Sequence, residues 1–448
     1  MKHLVCWLFL LSFLAGKAQI LSESQIEAKQ LSALKDQSNA ISSQLIEALN
    51  GNDYNKMEVL FSPKLKEALT EKKIFGLWQS LNEQHNGFEK TLNFKIKLTA
   101  EHTYLLAGIL FQDETKLDLQ YTLNEENEVN SLRIIPYSNP NEWNPPSYSV
   151  LDQIETKAIK IGTNSPLLAE LVSPASKKSS SIVIMVHGSG PNDMDESLGP
   201  NKLFKDLAYG LATNGISSIR YNKRSFDYQN DMAKRMNEID FNDIVVNDAR
   251  IAIKEAKSLG YQKVFLLGHS LGGHLAPRIV DGLSLSGVII MAGNSSPLQD
   301  LLLPQFEYLM ENDPNTPITE FQLNILKTQI DNLAKGEFDE NTVGPLLPLS
   351  LPGKFWLSLK DYNPIKTARS HDFPYLILNG DRDYQVTVDE ANQWKNGSKH
   401  EKSQTIIYKD LNHMFYAGEG LCIPSEYEEK HEMNVAVLKD ISSWIKSL

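Results

Sequence analysis

Apolar residues in the first part of the chain recur every three to four positions and then change to every second position. The first pattern runs from Gln25 to about Asn50 and predicts a long helix. Two shorter helical patterns follow, one after Ser62-Pro63 and one from Thr70-Glu71. Strand-like apolar runs then occupy residues 92–98, 104–111, 117–123 and 132–135. Helices followed by an antiparallel sheet predict a small α+β domain over residues 25–136.

The pattern changes again after residues 137–148, a segment without periodicity that is rich in Pro and Asn and is predicted to be a linker. Beyond it, strand-like segments alternate with amphipathic helical patterns. The strand-like segments are 157–161, 167–172, 182–186, 217–221, 264–267, 288–291, 375–378 and 405–408. Most of them are continuous apolar runs, which predict a mostly parallel sheet with helices on both faces, in a domain over residues 149–448. In such sheets the active site lies beyond the carboxyl ends of the strands.

The apolar run Val264 to Leu267 leads into Gly268-His269-Ser270-Leu271-Gly272, and a helical pattern follows from Leu271 to Ile279. This order predicts a strand, a sharp turn and a helix. Such a turn lifts a serine hydroxyl clear of the sheet, and the flanking glycines leave room for the crowded backbone. The pentapeptide alone is weak evidence, but its position between a buried strand and a helix makes Ser270 a candidate nucleophile.

A nucleophilic serine needs a base that takes its proton and a carboxylate that orients this base. Enzymes with this kind of turn carry them in the order serine, acid, histidine, each after a later strand. The strand that ends at Leu378 is followed by two candidates for the acid, Asp381 and Asp383.

Three histidines follow these carboxylates and are candidates for the base. His400 and His431 lie in charged stretches, which are typical of solvated surfaces. His413 comes just after the strand at 405–408, where the geometry requires the base, and is therefore the predicted one.

The negatively charged intermediate of acyl transfer needs N–H donors at its oxygen. One donor is expected from the backbone of Leu271, the residue after the candidate nucleophile, at the start of a helix. The second is expected from the loop His187-Gly188-Ser189-Gly190-Pro191, which follows the strand at 182–186, with the Ser189 backbone as the candidate. A plain glycine turn is the alternative interpretation of this loop.

These residues resemble the motifs of the α/β-hydrolase superfamily, from about Ser149 to the C-terminus. The matching segments are the elbow Gly268 to Gly272, the loop His187 to Gly190, the pattern Gly380-x-x-Asp383-x-x-Val386 and His413. This family pattern favours Asp383 over Asp381 as the acid. The stretch from His187 to Lys202 is also similar to bacterial serine esterases of the EstD type, which carry a small N-terminal α+β domain of unknown function.

The resemblance implies hydrolysis of carboxylic esters through an acyl-enzyme. Ser270 would be the nucleophile, His413 the general base and then the general acid, and Asp383 the orienting carboxylate. The implied partner is a small or medium acyl ester, and the implied chemistry calls for no metal and no organic cofactor. The acyl and alcohol preferences, the role of the first domain and the oligomeric state stay open.

Alternative functions share the same three residues. An aminopeptidase of the superfamily would need carboxylates that grip an amine, and Glu307, Glu311 and Asp313 are possible grips, although acidic surfaces are more often only solvated. A thioesterase is a further alternative. A binding or scaffolding protein is disfavoured, because the candidate catalytic residues and the oxyanion loop are all present.

An insert at about residues 297–372 separates two strands of the sheet and is too long for a plain connection. Its apolar residues recur at helical spacing. We expect a helical lid over the serine, and packing at one edge of the sheet is the alternative.

Composition and the first residues bear on location and partners. The formal net charge of -12 argues against nucleic acid as a partner. Residues 1–18 combine a basic start, an apolar run from Leu4 to Ala15 and small residues before Gln19, which predicts a secretory signal peptide and an exported protein. The apolar run is too short for a stable membrane span. The exported chain would keep Cys422 as its only cysteine, so no intramolecular disulfide could form.

Overall fold

The structure is a computed structural model that describes residues 23–137, 143–176 and 179–448. The predicted signal peptide, residues 1–18, lies outside the described residues, as do residues 138–142 of the predicted linker. The chain divides into two compact units: residues up to 97 with 103–137, and residues 138–448 with 98–102. In the part of the chain that the structure describes, no helix has the length and apolar character needed to span a membrane.

The first unit combines helices with a small sheet. Its helices are α1 Glu23–Gly51, α2 Tyr54–Glu58, α3 Pro63–Ala68 and α4 Glu71–Gln84. Its strands are β1 Phe88–Leu98, β2 Thr103–Phe111, β3 Lys116–Leu123 and β4 Val129–Pro136. The strands lie in chain order, with β3 antiparallel to both β2 and β4. Leu45, Phe61, Trp78 and Phe111 belong to its buried core, and the predicted α+β fold is confirmed.

Side-chain caps explain where two of these helices begin. Ser62 accepts a hydrogen bond at Oγ from Leu65 N at 3.3 Å, with Pro63 as the first helical residue, as predicted. The short helix α2 was not predicted. Asp53 caps it by accepting a hydrogen bond from Lys56 N at 3.0 Å, and this aspartate after Gly51 is the signal that the sequence offered.

Within residues 143–176 and 179–448, eight strands form one mixed sheet in the order β14-β13-β12-β11-β7-β10-β6-β5. These strands are β5 Ile154–Ile161, β6 Leu167–Pro174, β7 Ser181–Val186, β10 Ser217–Tyr221, β11 Lys263–His269, β12 Gly287–Met291, β13 Tyr375–Gly380 and β14 Gln404–Tyr408. A separate two-stranded hairpin joins β8 Ser197–Leu198 to β9 Asn201–Lys202. The run from β14 to β10 is parallel, whereas β6 pairs antiparallel with β10 and with β5.

Helices accompany this sheet along the whole of the second unit. They are α5 Leu203–Thr213, α6 Arg224–Asp227, α7 Gln229–Lys234, α8 Asn247–Ser258, α9 Leu271–Val280, α10 Leu298–Asn312, α11 Glu320–Lys335, α12 Gly353–Leu359, α13 Pro364–Ala368, α14 Val388–Trp394 and α15 Val435–Ser447. Along β11, Val264 and Leu266 belong to one buried core, while Phe265 and Leu267 belong to another. The sheet is therefore buried on both faces, and the predicted mostly parallel α/β architecture is confirmed.

Replacement of Leu266 by Ala tests the importance of this two-sided burial. Leu266 lies in a central strand and is 0% exposed, so we expect Leu266→Ala to lower the free energy of unfolding by about 2–5 kcal/mol. The matched control is Ile251→Ala on α8, where the side chain is 37% exposed and the expected loss is below about 0.5 kcal/mol. Chemical denaturation measures both, and equal losses would contradict this view of the core.

Candidate active site

The turn between β11 and α9 holds Ser270 in a strained backbone conformation, with φ 52 and ψ -119. A Cβ at Gly268 would overlap the carbonyl oxygen of Gly272, and a Cβ at Gly272 would overlap that of Val186. Glycine at both positions therefore permits a close approach of backbone segments. Ser270 N donates to Met291 O at 2.9 Å, which ties the turn to the end of β12. Positive φ at a serine is rare and commonly persists where a functional site requires it.

The structure brings Asp383 and His413 together. His413 Nδ1 lies 2.7 Å from Asp383 Oδ2, and both side chains are buried. The other carboxylate oxygen, Oδ1, accepts hydrogen bonds from Gln385 N at 2.8 Å and Val386 N at 2.9 Å. Because an ionised carboxylate can only accept a hydrogen bond, Nδ1 carries the hydrogen and donates it to Asp383, which leaves Nε2 as the basic nitrogen of His413.

The competing residues take other partners. Asp381 Oδ1 accepts a hydrogen bond from Asp410 N at 2.7 Å, which fastens the loop after β14. His400 Nδ1 accepts from Lys402 N at 3.1 Å. His431 stacks on the buried ring of Tyr416 at 5.4 Å, so it packs against the core, contrary to the solvated surface expected for it. Of these candidates, Asp383 and His413 are thus the two that the structure brings into contact.

Ser270 and the loop after β7 lie side by side. A Cβ built on Gly188 would be 3.0 Å from the Cβ of Ser270. The N–H groups of Ser189 and Leu271 donate no hydrogen bond to any residue that the structure describes, and both residues line the same pocket. Ser270 Oγ likewise makes no hydrogen bond to His413 among the described residues. Apo structures often leave such a contact loose until substrate binds.

The pocket beside the turn has a volume of about 510 Å³ and is mostly apolar. Its apolar lining residues include Met232, Met236, Ile239, Phe241, Ile244, Leu271, Leu298, Leu349, Leu351 and Phe355. Four of these belong to the 297–372 insert, which therefore forms part of the pocket wall.

The insert is also joined to the loop that carries Asp383, the candidate acid. Gln305 Nε2 on α10 donates to Gln385 O at 2.8 Å. Tyr308, one turn further along α10, stacks on Tyr384 with ring centroids 4.6 Å apart. The first helix of the insert is thereby fixed to the neighbours of Asp383.

A buried histidine–carboxylate contact lies behind the candidate nucleophile. His269 Nε2 faces the carbonyl oxygen of His413 at 3.0 Å, and because a carbonyl only accepts, this nitrogen is the donor. His269 Nδ1 lies 3.1 Å from Glu196 Oε1, although its direction is not that of a hydrogen bond. Burial alone lowers the pKa of His269, but the negative charge of Glu196 outweighs it, so this pKa is raised. Burial raises the pKa of Glu196, yet the nearby His269 and the hydrogen bond from Gly188 N lower it overall.

Glu196 and Lys223 hold Gly188 from two sides. Glu196 Oε1 accepts a hydrogen bond from Gly188 N at 2.6 Å, and Lys223 Nζ donates to Gly188 O at 2.7 Å. His187, the residue before, is packed between Phe204 and Tyr221, and burial lowers its pKa to about 4, so its ring is neutral at pH 7.

Sequence reasoning gave no role to Glu196 or Lys223. Lys223 follows β10 at the carboxyl end of the sheet, the edge where functional groups are expected, and that position was a usable signal. Glu196 lies in an irregular loop, and its place beneath Gly188 depends on the path of that loop.

Among the described residues, no group of His, Cys, Asp and Glu is arranged to hold a metal ion.

Comparison with known proteins places the two units in families. Residues 177–419 match the family described as serine aminopeptidase, S33, and residues 42–132 match a family of unknown function (DUF3887). The esterase EstD from Thermotoga maritima is 30% identical over 403 residues, which cover 89% of this chain and 93% of that protein.

Two solved esterase structures were also matched. The esterase domain of a Rhodothermus marinus protein has 16% identity and a TM-score of 0.40, with 66% of this chain and 98% of that one covered. The hyperthermophilic esterase from Pyrobaculum calidifontis has 17% identity and a TM-score of 0.43, with 65% and 85% covered. The family match over more than half of the chain and the relative that aligns along most of its length agree with each other. The chain therefore belongs to the serine hydrolases of the α/β-hydrolase superfamily, and within them to the EstD type that carries a small N-terminal α+β domain.

Proposed function

We propose that this protein is a serine carboxylesterase that hydrolyses small to medium acyl esters through an acyl-enzyme. The observation that carries the proposal is the buried contact of 2.7 Å between His413 and Asp383, formed at the same edge of the sheet as the strained turn of Ser270. A relative that aligns over most of the chain is named an esterase, which further supports the proposal.

In the proposed reaction, His413 Nε2 takes the proton of Ser270 Oγ as this oxygen attacks the ester carbonyl carbon. Asp383 keeps the imidazole in the required tautomer and stabilises it once it is protonated. The N–H groups of Leu271 and Ser189 donate to the developing oxyanion. His413 then returns the proton to the departing alcohol, which leaves the acyl group on Ser270.

The second half of the reaction uses the same groups. A water molecule gives a proton to His413 and attacks the acyl carbon, and a second oxyanion forms at the same N–H donors. As this intermediate collapses, the bond between the acyl carbon and Ser270 Oγ breaks and His413 gives its proton to Oγ, which releases the carboxylic acid and restores the Ser270 hydroxyl. No step needs a group beyond the protein and water.

The charge of the pocket favours an ester over a substrate with a free amine. Its lining includes Lys223 and no carboxylate, so an ammonium group would meet a like charge and no counter-charge. The acidic residues first considered as amine grips do not line this pocket. Glu307 pairs with Lys327 at 3.3 Å, and Asp313 accepts a hydrogen bond from Asn315 N.

The pocket size suits a small organic substrate. A volume of about 510 Å³ falls within the roughly 300–1,000 Å³ that small-molecule sites occupy. Its apolar wall would remove a hydrocarbon chain from water, worth about 0.8 kcal/mol for each buried CH₂ group. Affinity and turnover should therefore rise with acyl length until the chain fills the pocket.

Replacement of Ser270 tests the proposal directly. Ser270→Ala removes the nucleophile, so we expect kcat for p-nitrophenyl butyrate to fall at least about 10³-fold while the protein stays folded. Ser225→Ala is the matched control, since Ser225 lines the same pocket and should be dispensable for turnover. Ester substrates from acetate to decanoate are assayed beside aminoacyl anilides, and undiminished ester turnover in Ser270→Ala would refute the proposal.

Replacement of the two neighbouring carboxylates distinguishes the proposed acid from its competitor. Asp383→Asn removes the acceptor that fixes the His413 tautomer, so we expect a fall in kcat of about 10⁴-fold. Asp381→Asn changes a loop contact outside the proposed proton path and should lower kcat less than about tenfold. Steady-state kinetics on the same ester measures both, and a larger loss in Asp381→Asn would reverse the assignment.

We also propose that the protein is exported, on the strength of its basic and then apolar first residues. Expression of the full-length chain in a bacterial host should yield an extracytoplasmic form that begins at Gln19. Mass spectrometry of the fractionated cells measures the N-terminus. Recovery of the uncut chain from the cytoplasm alone would contradict export.

A further inference from the structure

We propose that Lys223 is a positioning residue of the oxyanion hole, which holds and polarises the peptide group between Gly188 and Ser189 so that Ser189 N–H donates to the oxyanion. The inference rests on the proposed esterase function and extends it to a residue that makes no contact with the reacting atoms. Its basis is a covalent relation: Gly188 C=O and Ser189 N–H belong to one peptide unit.

Lys223 binds the carbonyl end of the peptide unit whose other end is the Ser189 N–H donor. Lys223 Nζ donates to Gly188 O at 2.7 Å, and Asn192 Nδ2 lies 3.3 Å from the same oxygen. The described residues contain no cis peptide bond, so this C=O and N–H point in opposite directions across a planar unit. A cation that draws electron density toward the carbonyl oxygen makes the N–H a stronger donor, because hydrogen bonds in series polarise one another.

Burial makes the effect strong and keeps it in place. Lys223 is 3% exposed, so little solvent screens its charge. Its own N–H donates to Asn192 O at 3.0 Å, which links the residue after β10 to the loop after β7. The preceding peptide is held as well, because Glu196 accepts from Gly188 N. The loop is therefore fixed on both sides of Gly188 before any substrate arrives.

The charge of Lys223 changes within an accessible pH range. Burial lowers its pKa to about 8, although the negative charge of Glu196 raises it in part. The side chain is a cation below this pKa and neutral above it, so stabilisation of the oxyanion is complete well below pH 8 and is lost as the pH rises through about 8. Four charged or titratable groups lie around Lys223: Glu196, His187 with its lowered pKa, His269 beyond Glu196, and Arg224, which forms a salt bridge with Asp248.

The experiment compares the pH dependence of kcat and KM in variants of Lys223 between pH 5 and pH 10. Wild type should show an alkaline decline centred near pH 8. Lys223→Met should lower kcat at pH 7 about 10- to 100-fold, a fall no larger than that caused by removing an oxyanion-hole donor outright. Its KM should change less than about threefold, and its pH profile should show no alkaline decline. Lys223→Arg keeps a cation that does not titrate in this range, so it should retain most of the activity up to pH 10.

Two further variants separate positioning from general disturbance. Glu196→Gln keeps an acceptor for Gly188 N–H but removes the negative charge, so it should move the alkaline decline to lower pH, opposite to Lys223→Arg. Lys205→Met is the matched control, because Lys205 is a part-buried lysine that packs over the ring of Trp143 at 4.2 Å, and it should leave the profile unchanged. A trifluoromethyl ketone forms a tetrahedral oxyanion on the serine. Across the variants, its affinity should fall in proportion to kcat/KM, with the largest loss in Lys223→Met.

The outcomes are distinguishable from failure of the proposed function. A wild-type protein without ester turnover would contradict the esterase proposal. An active wild type would overturn the role of Lys223 if it showed no decline near pH 8, if Lys223→Met kept its kcat, or if the loss in that variant lay in KM. Should Lys223→Met fail to fold by circular dichroism, the profile of Glu196→Gln decides, and an unmoved decline there would overturn the inference.

Discussion

The arrangement of the site depends on close contact between backbone segments at the start of α9. A Cβ at Gly272 would overlap the carbonyl oxygens of Val186 and His187, and a Cβ at Gly273 would lie 2.9 Å from Gly293 Cα. The first turn of the helix therefore packs directly on the backbone at the end of β7 and just after β12. This contact brings the turn of Ser270 against the loop at Gly188, and it explains why two glycines, Gly272 and Gly273, stand in the first turn of the helix.

Charges buried around this contact are balanced in an unusual way. Lys223 lies against the peptide that Glu196 holds, and His269 lies against Glu196 itself, so one buried carboxylate faces both side chains. Burial makes the positive charge of Lys223 costly, and a further anion close by would offset that cost. The oxyanion of the proposed reaction would be that anion, so the site would be matched better to the intermediate than to a neutral ester.

The sequence allowed prediction of those features that depend on local patterns. Apolar runs identified the strands of the sheet, and the glycines around Ser270 identified the turn, because both follow from periodicity and steric room. Residues alone did not distinguish Asp381 from Asp383, since both follow the same strand. The difference lies in two backbone N–H groups that point at Asp383 Oδ1, and these are set by the path of the loop.

Contacts between distant segments could not be predicted from local patterns either, because they also depend on the path of the loops. Glu196 is joined to His269 and Gly188, and the His269 ring reaches the carbonyl of His413, which is 144 residues further along the chain. Nothing in the periodicity of an irregular loop reports which carboxylate will lie beneath a glycine. The helix α2 was missed for a smaller reason, because its few residues are too short a window for a 3.6-residue repeat to register.

The stacking of Tyr308 on Tyr384 has a consequence for redesign of the substrate range. Since α10 both bounds the pocket through Leu298 and is fastened beside Asp383, enlarging the pocket from this helix would also disturb the proposed orienting carboxylate. Leu349 and Leu351, in the short turns before α12, line the same space without any bond to that loop among the described residues. Selectivity and rate are thus coupled on one wall of the pocket and separable on the other.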